Sequence, residues 1–161
     1  MNKDDIQTFS YRISQANRTE LIVIMYDMAA GYIRQALETR ESDGKNIYNQ
    51  SIVQAKRVVD RLMASLDMQY EISAQLYSVY SVIQRYLIKA MAEYTEEGRR
   101  LLESSHKMLE SLRRAFYEVS LTDSSGPLMK NTQQVYAGLT YSNAGSSNEF
   151  SQDFSNRGFK V

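Results

Sequence analysis

Apolar positions begin to recur at helical spacing after Asn17. Ile22, Met25/Tyr26, Ala29, Ile33 and Ala36/Leu37 follow one another at intervals of three and four. Asn17 is a good N-cap residue, and Glu20, three positions on, can bond back to the cap's own N–H. The polar run 38–46, with its Asp43-Gly44 pair, closes this helix. A second stripe of Tyr48, Ile52, Ala55, Val59, Leu62 and Leu66 predicts a helix from about Ile47, and residues 67–70 form a short break. A third stripe holds Ile72, Leu76, Val79/Tyr80, Ile83, Leu87 and Met91. Thr95 can cap a fourth helix striped by Leu101/Leu102, Met108/Leu109, Leu112, Phe116 and Val119. No period-two run is bounded by turn residues, so no sheet is expected. Four helices joined by short connections predict an all-α fold, an antiparallel up-down four-helix bundle over residues 17–120.

The flanks read differently. Residues 1–16 supply Ile6, Phe9, Tyr11 and Ile13 without an evident helix of their own, and are expected to fold over the bundle as a short segment. Over residues 121–161 the composition changes: 21 of 41 residues are Ser, Thr, Asn, Gln or Gly, and six are charged. Such a tail cannot build its own core. Yet it carries apolar anchors at Leu128, Met129, Val135, Tyr136, Leu139, Tyr141, Phe150, Phe154 and Phe159. Val135 and Leu139 lie one helical turn apart, so the expectation is a flexible tail that can dock through residues 135–141.

Composition supports this picture. Pro127 is the only proline of the 161 residues, so nothing of that kind interrupts the helices. There is no cysteine, which excludes disulfides, thiolate catalysis and Cys-based zinc sites. With 19 basic and 19 acidic side chains, the basic excess of a nucleic-acid binder is missing. The longest apolar run, residues 21–26, is far too short to cross a bilayer, and the first 15 residues show no secretory h-region. A cytoplasmic protein without membrane insertion is expected.

Candidate chemistry is thin. Glu103-Ser-Ser-His106 has the spacing of a di-iron ligand pair, but that site needs a second such motif, and His106 is the only histidine. A solvated helix face explains the motif better than a metal. Ser104 and Ser105 are not placed by helical geometry to meet His106, and no glycine-rich phosphate loop is present. Arg99-Arg100 and Arg113-Arg114 interleave with Glu103 and Glu110, as on a salt-bridged face. The reading is therefore no enzyme, no cofactor and no metal.

What does need explaining is surplus apolar surface. In residues 21–37, 13 of 17 positions are apolar, and in residues 72–92, 14 of 21. A bundle helix uses about three positions in seven for its core. Both helices therefore carry a second apolar face, rich in Tyr and Met (Met25, Tyr26, Met28, Tyr32, Tyr77, Tyr80, Tyr86, Met91). Such a face suits a partner helix, the chain's own flanks or a second copy.

Tyr11, the stretch from Asn17 to Asp27 (NRTELIVIMYD), Ser65-Leu66-Asp67 and Leu76-Tyr77-x-x-Tyr80 together resemble the flagellar secretion chaperone family, FliS, with matches in order across residues 11–119. The chain departs from that family's pattern at Arg18, where proline is usual, and at Met28, where glycine is usual. Residues 68–71 also lack the Gly-Gly often found in that turn. The resemblance implies a cytoplasmic chaperone around whose bundle the disordered C-terminal segment of flagellin wraps. It would thereby be kept from premature polymerisation and delivered to the flagellar export apparatus. Carried over by position, Tyr11, Tyr26, Asp27, Leu66, Asp67, Leu76, Tyr77 and Tyr80 are the partner-binding candidates. Leu66, Leu76 and Tyr26 also fit plain core positions, and Asp67 also fits a helix terminator. A homodimer of the free protein stays open. The rival readings are a non-flagellar adaptor that binds another amphipathic helix and, more remotely, a ferritin-like metal oxidase.

Overall fold

The capping pair at Asn17 forms as its spacing demands. The Glu20 N–H donates to Asn17 Oδ1 at 2.8 Å, and the Asn17 N–H donates to the Glu20 carboxylate at 2.9 Å. In the computed structural model, which describes residues 3–40 and 44–129, this cap opens one of five helices. They are α1 (Lys3–Gln15), α2 (Arg18–Arg40), α3 (Lys45–Ala64), α4 (Glu71–Ala92) and α5 (Glu96–Ser120). Among the described residues there is no strand. Thr95 caps α5 by accepting from the Gly98 N–H at 3.3 Å.

The N-terminal segment differs from expectation, because it is a helix. Ile6, Phe9 and Ile13 recur at three and four residues, and neither proline nor glycine interrupts them. A 13-residue helix is marginal by itself, so α1 owes its stability to packing against α2. Reading for stripes only downstream of the Asn17 cap overlooks it.

α2 packs on α3 and α5, and α4 packs on the same two helices. Tyr26, Ile33, Ile52, Leu62, Tyr80, Ile83, Leu87, Leu102 and Leu109 are buried at the centre. Two pairs set α3 against α4: the Tyr48 hydroxyl donates to the Ala90 carbonyl at 2.8 Å, and Gln84 donates to Asp60. The three buried core tyrosines thus keep partners for their hydroxyls, since Tyr26 and Tyr80 share a hydrogen bond. Burial and that shared bond push the Tyr26 hydroxyl far above its ordinary titration range, and burial raises Tyr80 too.

The connection from α3 to α4 needs no glycine. Asp67 Oδ1 accepts from the Gln69 N–H at 3.0 Å and its carbonyl from the Tyr70 N–H at 3.2 Å. Leu66, which the stripe assigns to the helix, falls one residue beyond the Ser65 cap and still packs half-buried against the core. At Gly98 an added Cβ would collide with the Glu93 carbonyl. Gly98→Ala should therefore destabilise the protein by about 1–3 kcal/mol. Urea unfolding checks this, and an unchanged midpoint would contradict it.

The compact unit takes in Met1–Met129. The expected docking segment at 135–141, and the anchors Phe150, Phe154 and Phe159, lie outside the described residues. No helix among the described residues is long and apolar enough to cross a membrane.

Candidate partner-binding surface

The two helices with surplus apolar surface meet different fates. α2 is covered nearly all round. Tyr26, Ala29, Ile33 and Ala36 face the core, while Val23 and Ile24 are buried on another side. That other side lies under α1. One crevice is lined by Tyr11, Arg12 and Ala16 of the N-terminal stretch with Val23, Ile24 and Asp27 of α2, and a second by Asp5 and Phe9 with Gly31 and Gln35. α1 therefore doubles back along α2, and the flank itself consumes that surplus.

α4 packs chiefly on α3 and α5, and among the described residues no further helix covers it. Tyr77 and Ile88 are each 48% exposed and Met91 is 36% exposed. Residues 77, 81, 84, 88 and 91 step by four and three, so they form one strip along the helix, beside the buried stripe of Leu76, Tyr80, Ile83 and Leu87. At its N-terminal end Met68, Tyr70 and Ile72 are exposed as well. The strip is apolar at both ends, with a polar middle of Ser81 and Gln84.

The candidates read from sequence separate into four places. Tyr26, Leu76 and Tyr80 are buried, and the first and last touch each other. Leu66 and Asp67 sit in the connection between α3 and α4. Tyr77 lies on the open α4 strip, while Tyr11 and Asp27 line one groove of about 630 Å³ between α1, α2 and α5. Within that groove Asp27 is the hub. Arg12 Nη2 donates to one carboxylate oxygen at 2.6 Å and Arg113 Nε to the other at 2.5 Å. The hydrogen bond to the carboxylate in turn raises the Arg113 pKa above its ordinary range. Sequence reasoning missed Arg12 and set Arg113 on a face with Glu103 and Glu110 rather than against Asp27, because nothing local links positions 12, 27 and 113. It missed Ile88 because that residue lies off the core stripe.

It also missed a contact made by the start of the polar tail. The Thr19 hydroxyl donates to Asp123 Oδ2 at 2.6 Å, and Asn17 Nδ2 donates to the Asp123 carbonyl at 3.3 Å. Further on, the Leu128 N–H donates to the Ala16 carbonyl at 3.0 Å. Hydrogen bonds from Ser125 and Thr19 hold the Asp123 carboxylate at about 2, below the ordinary 3.8. The folded chain thus resists a proton that the unfolded chain accepts. The stabilisation is present above pH 3.8 and is lost as pH falls from 3.8 towards 2. The stability gap between the parent and Asp123→Asn should close across that window in acid titrations. A gap that does not depend on pH would contradict it.

Chemistry remains sparse. No group of three or more metal-ligating side chains occurs among the described residues. His106 is half-buried with Nε2 unpartnered. Burial holds its pKa below 6.5, with Glu110 opposing and Arg34 assisting. Glu103 instead pairs with Arg99.

Residues 2–123, nearly the whole described chain, match the family described as Flagellar protein FliS. The chain belongs to the FliS family. A relative from Bacillus subtilis (strain 168), the flagellar secretion chaperone FliS, is 26% identical over 78 residues. That match covers 48% of this chain and 59% of the relative, so the chain spans under two thirds of the curated protein's length. The family match takes in α1 as well as the later helices, ending at Asp123 where the chain folds back onto Thr19. Every partner-binding candidate therefore lies within the matched residues.

Proposed function

We propose that this protein is a flagellar secretion chaperone that binds the C-terminal segment of flagellin, keeps it from polymerising in the cytoplasm and hands it to the export apparatus. The observation that carries this reading is the open α4 strip of Tyr77, Ile88 and Met91 on a chain of the FliS family. An apolar strip at helical spacing is what an amphipathic helix needs as a floor. Its tyrosine and methionines suit a partner that is disordered before binding and repacks as it folds.

The carrier is an antiparallel up-down bundle of α2–α5. Support comes from pairs that join earlier residues of one helix to later residues of another: Tyr48 of α3 with Ala90 of α4, and Asp27 of α2 with Arg113 of α5. Tyr77 contacts flagellin directly. Tyr11 and Asp27 shape the groove under α1, while Tyr26, Leu66, Leu76 and Tyr80 hold the helices that present the strip. Asp67 fixes the turn leading into it. The function requires no catalytic group, cofactor or nucleic acid.

Co-expression tests the proposal. Intact flagellin should co-elute with the chaperone, and flagellin lacking its C-terminal segment should not. Equal co-elution of both forms, or of neither, would overturn the reading.

A further inference from the structure

The joint between α1 and α2 consists of Ala16 and Asn17, both buried. It is held from two directions. From the α2 side, Asn17 is tied to Glu20 through its Oδ1 and its own N–H. From the far end of the chain, Asn17 Nδ2 donates to the Asp123 carbonyl, Thr19 donates to the Asp123 carboxylate, and the Leu128 N–H reaches the Ala16 carbonyl. These contacts bridge more than 100 residues of sequence. They come from a stretch, residues 121–129, that is neither helix nor part of the apolar core.

We infer that residues 121–129 are a latch that holds α1 down on α2. α1 is the element with the least packing of its own. It rests on α2 through half-buried Phe9 and Ile13 and through the Arg12–Asp27 ion pair, while Ile6 is 54% exposed. A 13-residue helix anchored so lightly depends on its joint. With the latch closed, the chain cannot swing about residues 16 and 17, because the joint's carbonyl and amide are both committed. With the latch open, α1 can lift and uncover Val23 and Ile24, the apolar residues of α2 that line the groove with α1. The latch also borders the groove at Leu121, so a segment entering between α1 and α5 meets it first. The stretch after α5 thus sets how often a second apolar surface becomes available. The inference does not depend on which partner the α4 strip binds.

Hydrogen exchange on the full chain tests it without any partner. Two variants open the latch in different places. Thr19→Val removes the hydroxyl that Asp123 accepts from, and Leu128→Pro removes the N–H that reaches Ala16 while leaving the Asn17 cap untouched. Each should raise exchange of the α1 amides at least tenfold, with α3 and α4 amides within twofold of the parent. Unchanged α1 protection in both variants would overturn the latch. A rise in α3 and α4 matching that in α1 would overturn it too, because the contacts would then serve only global stability.

Discussion

Replacing Tyr77 and Ile88 together by glutamate should weaken flagellin binding by roughly 30- to 700-fold. That corresponds to about 2–4 kcal/mol for two central contacts in an apolar docking strip. Both side chains are 48% exposed, so charging them removes no core packing, and the melting transition should stay within a few degrees of the parent. The same change at Ile47 provides the control. Ile47 is comparably exposed, at 47%, but opens α3 rather than lying on the α4 strip. Ile47→Glu should leave affinity within about threefold of the parent, the scale of an energetically near-neutral contact. Equal losses at both places would mean that general hydrophobicity, rather than the strip, drives association.

Tyr26→Ala should do the opposite. It should cost about 3–5 kcal/mol of stability, as removal of a large aromatic side chain from a packed interior does. Tyr26 is fully buried, shares its hydroxyl hydrogen bond with Tyr80, and stacks at a tilt against Phe116 with ring centroids 5.5 Å apart. The variant loses all three and leaves the Tyr80 hydroxyl unpartnered in the core. Set against a typical total of about 5–15 kcal/mol, this is a large fraction. Tyr26→Phe keeps the ring and should cost only about 1–3 kcal/mol, with flagellin affinity unchanged while the protein is folded. Denaturant midpoints at constant slope measure both. A stable Tyr26→Ala variant that has lost binding would instead place Tyr26 in the interface.

This contrast shows where sequence reasoning stops. Residues 26 and 77 both belong to helices with surplus apolar positions and both match the family pattern. The core stripe takes in Tyr26 and passes by Tyr77, and tertiary contact buries the first and leaves the second exposed. The helices from Asn17 onward were legible because caps and stripes are local signals, written within a few residues by Asn17–Glu20, Thr95–Gly98 and the three-and-four spacing. α1 was legible in principle, from Ile6, Phe9 and Ile13, but its pattern is short. The assignment of surplus faces was not legible at all. Whether α2 or α4 stays open depends on α1 doubling back along α2, a long-range event driven by burial. The Asp27 hub and the Asp123 contacts lie still further out of reach. They join residues 15, 86, 104 and 106 positions apart, and polar residues at such separations carry no periodic mark.

Calorimetric titration of the full chain with the isolated C-terminal segment of flagellin, at two or more temperatures, tests the central claim most directly. Saturable binding is expected, with an enthalpy that grows more negative on warming, because a disordered segment that folds onto an apolar strip buries nonpolar surface and so lowers the heat capacity. The Tyr77→Glu, Ile88→Glu protein should lose most of that signal. Absence of heat at every temperature with tens of micromolar protein, or binding whose enthalpy does not vary with temperature, would contradict the account.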